Sequence, residues 1–76
     1  MPELRDVRPL DAVKAFQHAG GIVRSGKGSH VNINMPNGKV VTIPTSRGTL
    51  KIGLLKAAIR KAELTDEEFV RLLRGG

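Results

Sequence analysis

The run Gly26-Lys27-Gly28-Ser29-His30 holds the most chemically capable residues of this sequence. Imidazole titrates near neutral pH, so a histidine can take up and return a proton under physiological conditions. Metal-free cleavage of a ribose phosphodiester needs that ability. One group takes the 2′-hydroxyl proton, another protonates the leaving 5′-oxygen, and positive charge sits beside the phosphate. The glycines on either side of Lys27 would let backbone amides and an ammonium approach a phosphate closely. His30 is therefore the candidate catalytic residue, and Lys27, Gly28 and Ser29 are candidate phosphate contacts. On spacing alone, a polar residue on a solvated strand face is the simpler account of His30.

Other chemistries find less support. His18 falls opposite an apolar stripe, in the last turn of a predicted helix, where a histidine interacts well with the helix dipole. Gly26-x-Gly28 is too short for a dinucleotide fingerprint, and no Gly-Lys-Ser/Thr phosphate loop occurs. No metal site or cofactor is expected, because the chain has no cysteine, its 2 histidines are far apart and its carboxylates gather near the ends. A Ser-His-Asp hydrolase has no elbow motif to build on. Stacking platforms for single strands are excluded by composition, with no Trp or Tyr and 2 Phe that both read as core.

Charge points to a polyanion. The chain carries a formal charge of +6 in 76 residues. Residues 12 to 62 hold Lys14, Arg24, Lys27, Lys39, Arg47, Lys51, Lys56, Arg60 and Lys61 without a single Asp or Glu, while Glu63, Asp66, Glu67 and Glu68 cluster behind them. An acid-free body of this kind generates a positive field that attracts nucleic acid. Arg24, Lys56 and Arg60 join the turn residues as candidate RNA contacts. A chain this short folds as one domain, residues 1–76, with a small aliphatic core and no disulfide to staple it. It shows neither a membrane span nor an export signal, which leaves the cytoplasm as the expected compartment.

Several elements must position these residues. Pro9 to Ala19 reads as a helix, with Leu10, Ala12, Val13 and Phe16 on one side and Gly20-Gly21 as its stop. Gly21 to Ser25 is a short β-branched run. Ser29 to Met35 alternates, with Val31, Ile33 and Met35 on one face and His30, Asn32 and Asn34 on the other. Pro36-Asn37-Gly38 signals a hairpin into Lys39–Ile43, which Pro44 ends. After a polar connection from Thr45 to Ile52, Leu55, Ala58, Ile59 and Ala62 mark a second helix beyond Gly53. Thr65 and Glu68 have the spacing of a capping box and open a short last helix with Phe69, Leu72 and Leu73 on its apolar side. The expected fold is α+β, a three-stranded antiparallel sheet with the helices on one face. The other face stays open and presents His30, Asn32 and Asn34.

The stretch from Phe16 to His30 resembles the opening half of the HicA-type toxins, in which a helix ends in Ala-Gly, a short strand follows, and Gly-Ser-His opens the second strand. The Pro36-Asn37-Gly38 hairpin, the strand Val41-Thr42-Ile43-Pro44 and the segment from Lys51-Ile52-Gly53 to Thr65 continue the likeness, which covers nearly all of Pro9 to Leu73. The resemblance implies a double-stranded-RNA-binding-domain-like α-β-β-β-α fold with a short extra C-terminal helix. It also implies an mRNA interferase, the toxin of a type II toxin–antitoxin pair with a HicB-like antitoxin that covers the histidine's surroundings. The implied enzyme is a metal-independent endoribonuclease, monomeric when free and hetero-oligomeric with its antitoxin. The family's catalytic histidine falls on His30. Two positions depart from the pattern. Gly21 stands where a bulkier residue is common, which predicts a missing core contact, and Thr45 stands where many members have a second histidine. A non-catalytic RNA-binding module explains the charge and element order equally well, but not the histidine placed after Gly-Lys-Gly-Ser. A basic face made for an acidic protein partner is a third reading, compatible with an antitoxin complex.

Overall fold

A computed structural model describes residues 4–24, 28–46 and 48–75. The elements run α1 (Pro9–His18), β1 (Ile22–Arg24), β2 (His30–Asn34), β3 (Val40–Pro44), α2 (Ile52–Lys61) and α3 (Asp66–Leu73). The strands form one antiparallel sheet in the order β1-β2-β3. This is the α-β-β-β-α arrangement of a double-stranded-RNA-binding-like domain, extended by α3.

The helices cover one sheet face because strand alternation makes that face the more apolar one. Ile33, Val41 and Ile43 are buried there under α1 and α2, and Met35 continues the row just past β2. α1 buries Pro9, Ala12, Val13, Ala15 and Phe16. Leu10 does not join them and is 66% exposed, contrary to its expected place on the stripe. The buried set is centred between Phe16 and Ala12, and Leu10 lies more than a quarter-turn outside it. α2 begins at Ile52, so Gly53 lies inside its first turn. α3 opens on the expected capping box: the Thr65 hydroxyl accepts from the Glu68 N–H, and the Glu68 carboxylate accepts from the Thr65 N–H. α3 brings Phe69 against Phe16, with ring centroids 4.9 Å apart and planes tilted by 50°. Burying each ring contributes about 1.5–3 kcal/mol, and a tilted aromatic pair adds about 0.5–1.5 kcal/mol.

Three core residues carry no periodicity that a sequence reading could use. Leu4 and Val7 precede α1, and Leu50 ends the connection to α2; all three are buried. The Leu50 N–H donates to the Val7 carbonyl at 2.8 Å, which ties the two segments together. Gly21, where a lost contact was expected, is instead closely packed. A Cβ there would meet Ile33 Cγ2 at 2.7 Å, the Phe16 carbonyl oxygen at 2.8 Å and Met35 Sδ at 2.9 Å. The neighbouring side chains already fill the space.

The β2–β3 hairpin turns through three residues. The Gly38 N–H donates to the Met35 carbonyl at 3.0 Å, the Met35 N–H donates to the Lys39 carbonyl at 2.8 Å, and Gly38 has φ +85°. A turn followed by one left-handed glycine is the three-residue alternative to the two-residue Asn-Gly turn. The register pairs His30 with Pro44, Val31 with Ile43, Asn32 with Thr42, Ile33 with Val41 and Asn34 with Val40. Backbone bonds at Met35/Lys39 and Ser29/Thr45 make the odd-numbered pairs the hydrogen-bonded ones. Val40 and Thr42 therefore turn their N–H and C=O outward at the free edge of β3, and Pro44 has no N–H to offer there.

Candidate functional site

His30 opens β2 and is exposed, on the sheet face that no helix covers. Its pair across the sheet is Pro44. The Ser29 carbonyl accepts from the Thr45 N–H, so the residue before His30 is fastened to the residue after Pro44. Gly28 is exposed with φ +64°, and a Cβ there would meet nothing within 4 Å. Its left-handed backbone accounts for the glycine better than crowding does. Lys27, with Ser25 and Gly26, lies outside the described residues.

Cross-strand register arranges the rest of this face in rows. Arg24 of β1 pairs with Asn32 of β2, which pairs with Thr42 of β3. Thr42 Oγ1 donates to Asn32 Oδ1 at 2.8 Å. The next row, further from His30, is Ile22, Asn34 and Val40; Ile22 is 63% exposed and Val40 40% exposed. The face thus grades from a polar, donor-rich half around His30 to an apolar rim.

The structure brings Arg24, Gly28 and Ser29 to the same end of the sheet as His30. It does not bring Lys56 and Arg60 there. Lys56 Nζ lies 3.8 Å from Asp66 Oδ2, which turns that flank of α2 toward α3, and Arg60 follows one turn later on the same flank. The opposite flank, with Leu54, Ala57 and Lys61, lines a groove of about 240 Å³ with Val41 and Thr42. Lys61 thus lies along the β3 edge of the sheet, on the flank away from Asp66. Thr45 directly follows β3 at its His30 end, in a cleft of about 330 Å³ shared with Arg8, Leu10, Asp11 and Lys14.

Asn32 and Thr42 are the residues that the sequence reading did not assign to the site. Alternation put Asn32 on the open face, but only the register shows which side chain fixes it. Among the described residues, no three His, Asp or Glu side chains gather into a group able to hold a metal ion. Among the same residues, no helix is long and apolar enough to cross a membrane.

Residues 11–64 match the family model described as HicA toxin of bacterial toxin–antitoxin systems. The chain belongs to the HicA toxin family. The match begins in the first turn of α1 and ends after α2, so it spans the whole sheet and the segment carrying His30. A comparison with curated proteins finds no match. HicA membership makes the chain the toxin half of a toxin–antitoxin pair and implies an antitoxin as its partner.

Proposed function

We propose that this HicA chain is a metal-independent endoribonuclease that cleaves mRNA, with His30 as its one catalytic histidine. The observation that carries the reading is the position of His30. It stands exposed at the mouth of β2, on the uncovered sheet face, directly after the left-handed Gly28 and the pinned Ser29. The His30 imidazole takes the proton of a ribose 2′-hydroxyl. The 2′-oxygen then bonds to phosphorus, the bond to the 5′-oxygen breaks, and that oxygen leaves with a proton from water. The products carry a 2′,3′-cyclic phosphate and a 5′-hydroxyl. Arg24, Lys27, Gly28 and Ser29 hold phosphates beside the histidine. Lys56 and Arg60, on the far flank of α2, act through the positive field that draws RNA in.

One hydrophobic cluster runs from Leu4 to Phe69, which supports a single domain over residues 1–76. On this reading the toxin acts in the cytoplasm as a monomer. A HicB-like antitoxin silences it in a hetero-oligomer by covering the open face.

The test incubates wild type and His30→Ala with a long single-stranded RNA in EDTA and follows fragments and binding on gels. Cleavage by the wild type alone, with binding kept in both and no effect of EDTA, is the expected result. Equal cleavage by the two proteins removes His30 from the chemistry. Equal binding with no cleavage by either makes the open face an RNA-binding surface and the domain a non-catalytic module.

A further inference from the structure

The row Arg24–Asn32–Thr42 lies one step along the open face from His30 and contains a side-chain bond with a direction. Asn32 and Thr42 form a non-hydrogen-bonded backbone pair, the kind in which facing side chains come closest. Thr42 Oγ1 donates to Asn32 Oδ1 at 2.8 Å, so the acceptor end of the amide is engaged from the β3 side. The other end, Nδ2 with its two N–H groups, is thereby turned from β3 toward β1. There the facing residue is Arg24, exposed, on a hydrogen-bonded backbone pair whose Cα atoms are about 5.5 Å apart. A guanidinium and an amide nitrogen can only donate. No carboxylate exists anywhere between residues 12 and 62 to receive them.

Two facing donors with no acceptor among the described residues, on a solvated surface beside a histidine, suit one class of ligand, an oxyanion. We propose that Arg24 and Asn32 together bind the RNA phosphate next to the one at His30, and that Thr42 is the positioning residue that keeps the Asn32 amide in its donating orientation. The inference rests on the ribonuclease reading for its substrate and adds Asn32 and Thr42 to it. Arg24 supplies charge. Asn32 supplies geometry, because an amide held by its oxygen cannot rotate to offer an acceptor to the incoming phosphate. Thr42 touches no substrate and acts only through Asn32.

RNA affinity, measured by fluorescence anisotropy with a labelled single-stranded RNA, tests this on a His30→Ala background, where no cutting interferes. Asn32→Asp keeps an acceptor for the Thr42 hydroxyl but replaces two donors by a carboxylate, and is expected to weaken binding about tenfold or more. Thr42→Val frees the amide and is expected to weaken binding several-fold, whereas Thr42→Ser restores it. On top of Asn32→Ala, Thr42→Val is expected to add nothing, which separates positioning from a general effect on the sheet. Thermal melts show that each variant is folded, and the Thr42→Val and Thr42→Ser pair decides the matter if Asn32→Asp is not. Unchanged affinity in Asn32→Asp, or equal losses in Thr42→Val and Thr42→Ser, overturns the proposal. Cleavage by the parent protein is read separately with His30 intact. If that protein does not cut RNA but the Asn32 variants lose affinity, the ribonuclease reading fails and the phosphate site stands. If it cuts and the variants bind and cut unchanged, the reverse holds.

Discussion

The side-chain amide of Asn37, at the tip of the β2–β3 hairpin, donates to the Glu63 carboxylate at 2.6 Å, just beyond the end of α2. The same nitrogen donates to the Lys61 carbonyl at 3.1 Å, and Asn37 Oδ1 accepts from the Lys39 N–H at 3.0 Å. Glu63 has φ +60°, with its N–H bonded to the Arg60 carbonyl and the Leu64 N–H bonded to the Ile59 carbonyl. That is a helix stop in which glycine is the usual left-handed residue. The hairpin therefore holds a carboxylate in a backbone conformation that costs it about 1 kcal/mol.

Coupling between these two residues follows. Asn37→Ala should lower stability by about 1–2 kcal/mol. Glu63→Gly alone should be close to neutral, because relief of the left-handed strain offsets the lost bond. In the Asn37→Ala background the same change should stabilise by about 1 kcal/mol. Urea denaturation of the four proteins measures this, and strictly additive effects would mean that the contact carries no coupling.

Two glycines should respond in opposite directions to alanine. Gly21→Ala drives a methyl group into Ile33, Met35 and the Phe16 carbonyl and should cost about 1–3 kcal/mol. Gly53 sits in the first turn of α2 with nothing within 4 Å of a Cβ, so Gly53→Ala should stabilise by about 0.4–1 kcal/mol. A melting midpoint for Gly21→Ala that is unchanged or raised would refute the packing account of Gly21, and a lowered one for Gly53→Ala would refute the account of Gly53.

Phe69 fills the junction of α1 and α3 and is fully buried. Phe69→Ala should cost about 3–5 kcal/mol, a large part of the stability of so small a domain. Loss of the cooperative melt, with Phe69→Leu retaining it, is the expected pattern. A small change in midpoint for the alanine variant would show that α3 contributes little to the core.

Charge reversal on α2 should depend on which flank carries it. Lys61 lies beside Thr42 at the sheet edge, whereas Lys56 faces Asp66. Lys61→Glu should therefore weaken RNA binding more than Lys56→Glu, although both remove the same net charge. The comparison is made by binding titration at two salt concentrations, where the Lys61 variant should also show the shallower salt dependence. Indistinguishable losses would mean that only the overall field matters. The Lys56–Asp66 pair is too exposed to contribute much to folding.

Local patterns in the sequence already contained the parts of the fold that depend on nearest neighbours. Strict alternation from Ser29 to Met35 put His30, Asn32 and Asn34 on one face, and the Thr65/Glu68 spacing marked the start of α3. Leu10 shows how such reading goes astray: it is apolar and lies within a helix, but only Pro9, Ala12, Val13, Ala15 and Phe16 of that helix are buried. Leu4, Val7 and Leu50 were illegible because an isolated apolar residue in a loop has no period to betray it. The Thr42–Asn32 bond joins residues ten apart and needs the register of two strands. The division of α2 into a Lys56 flank and a Lys61 flank likewise depends on where α3 lies. Both are tertiary facts.

The outward backbone groups of β3 bear on how the protein behaves when crowded. A second molecule adding a strand at this edge would find a donor and an acceptor together at Val40 and Thr42, followed at Pro44 by a carbonyl with no N–H beside it. Two complete rungs are too few to nucleate a shared sheet, and Lys39, just before the strand, adds repulsion between like copies. The edge is thereby protected against fibril-like growth, while the broad face carrying His30 stays open to a ligand.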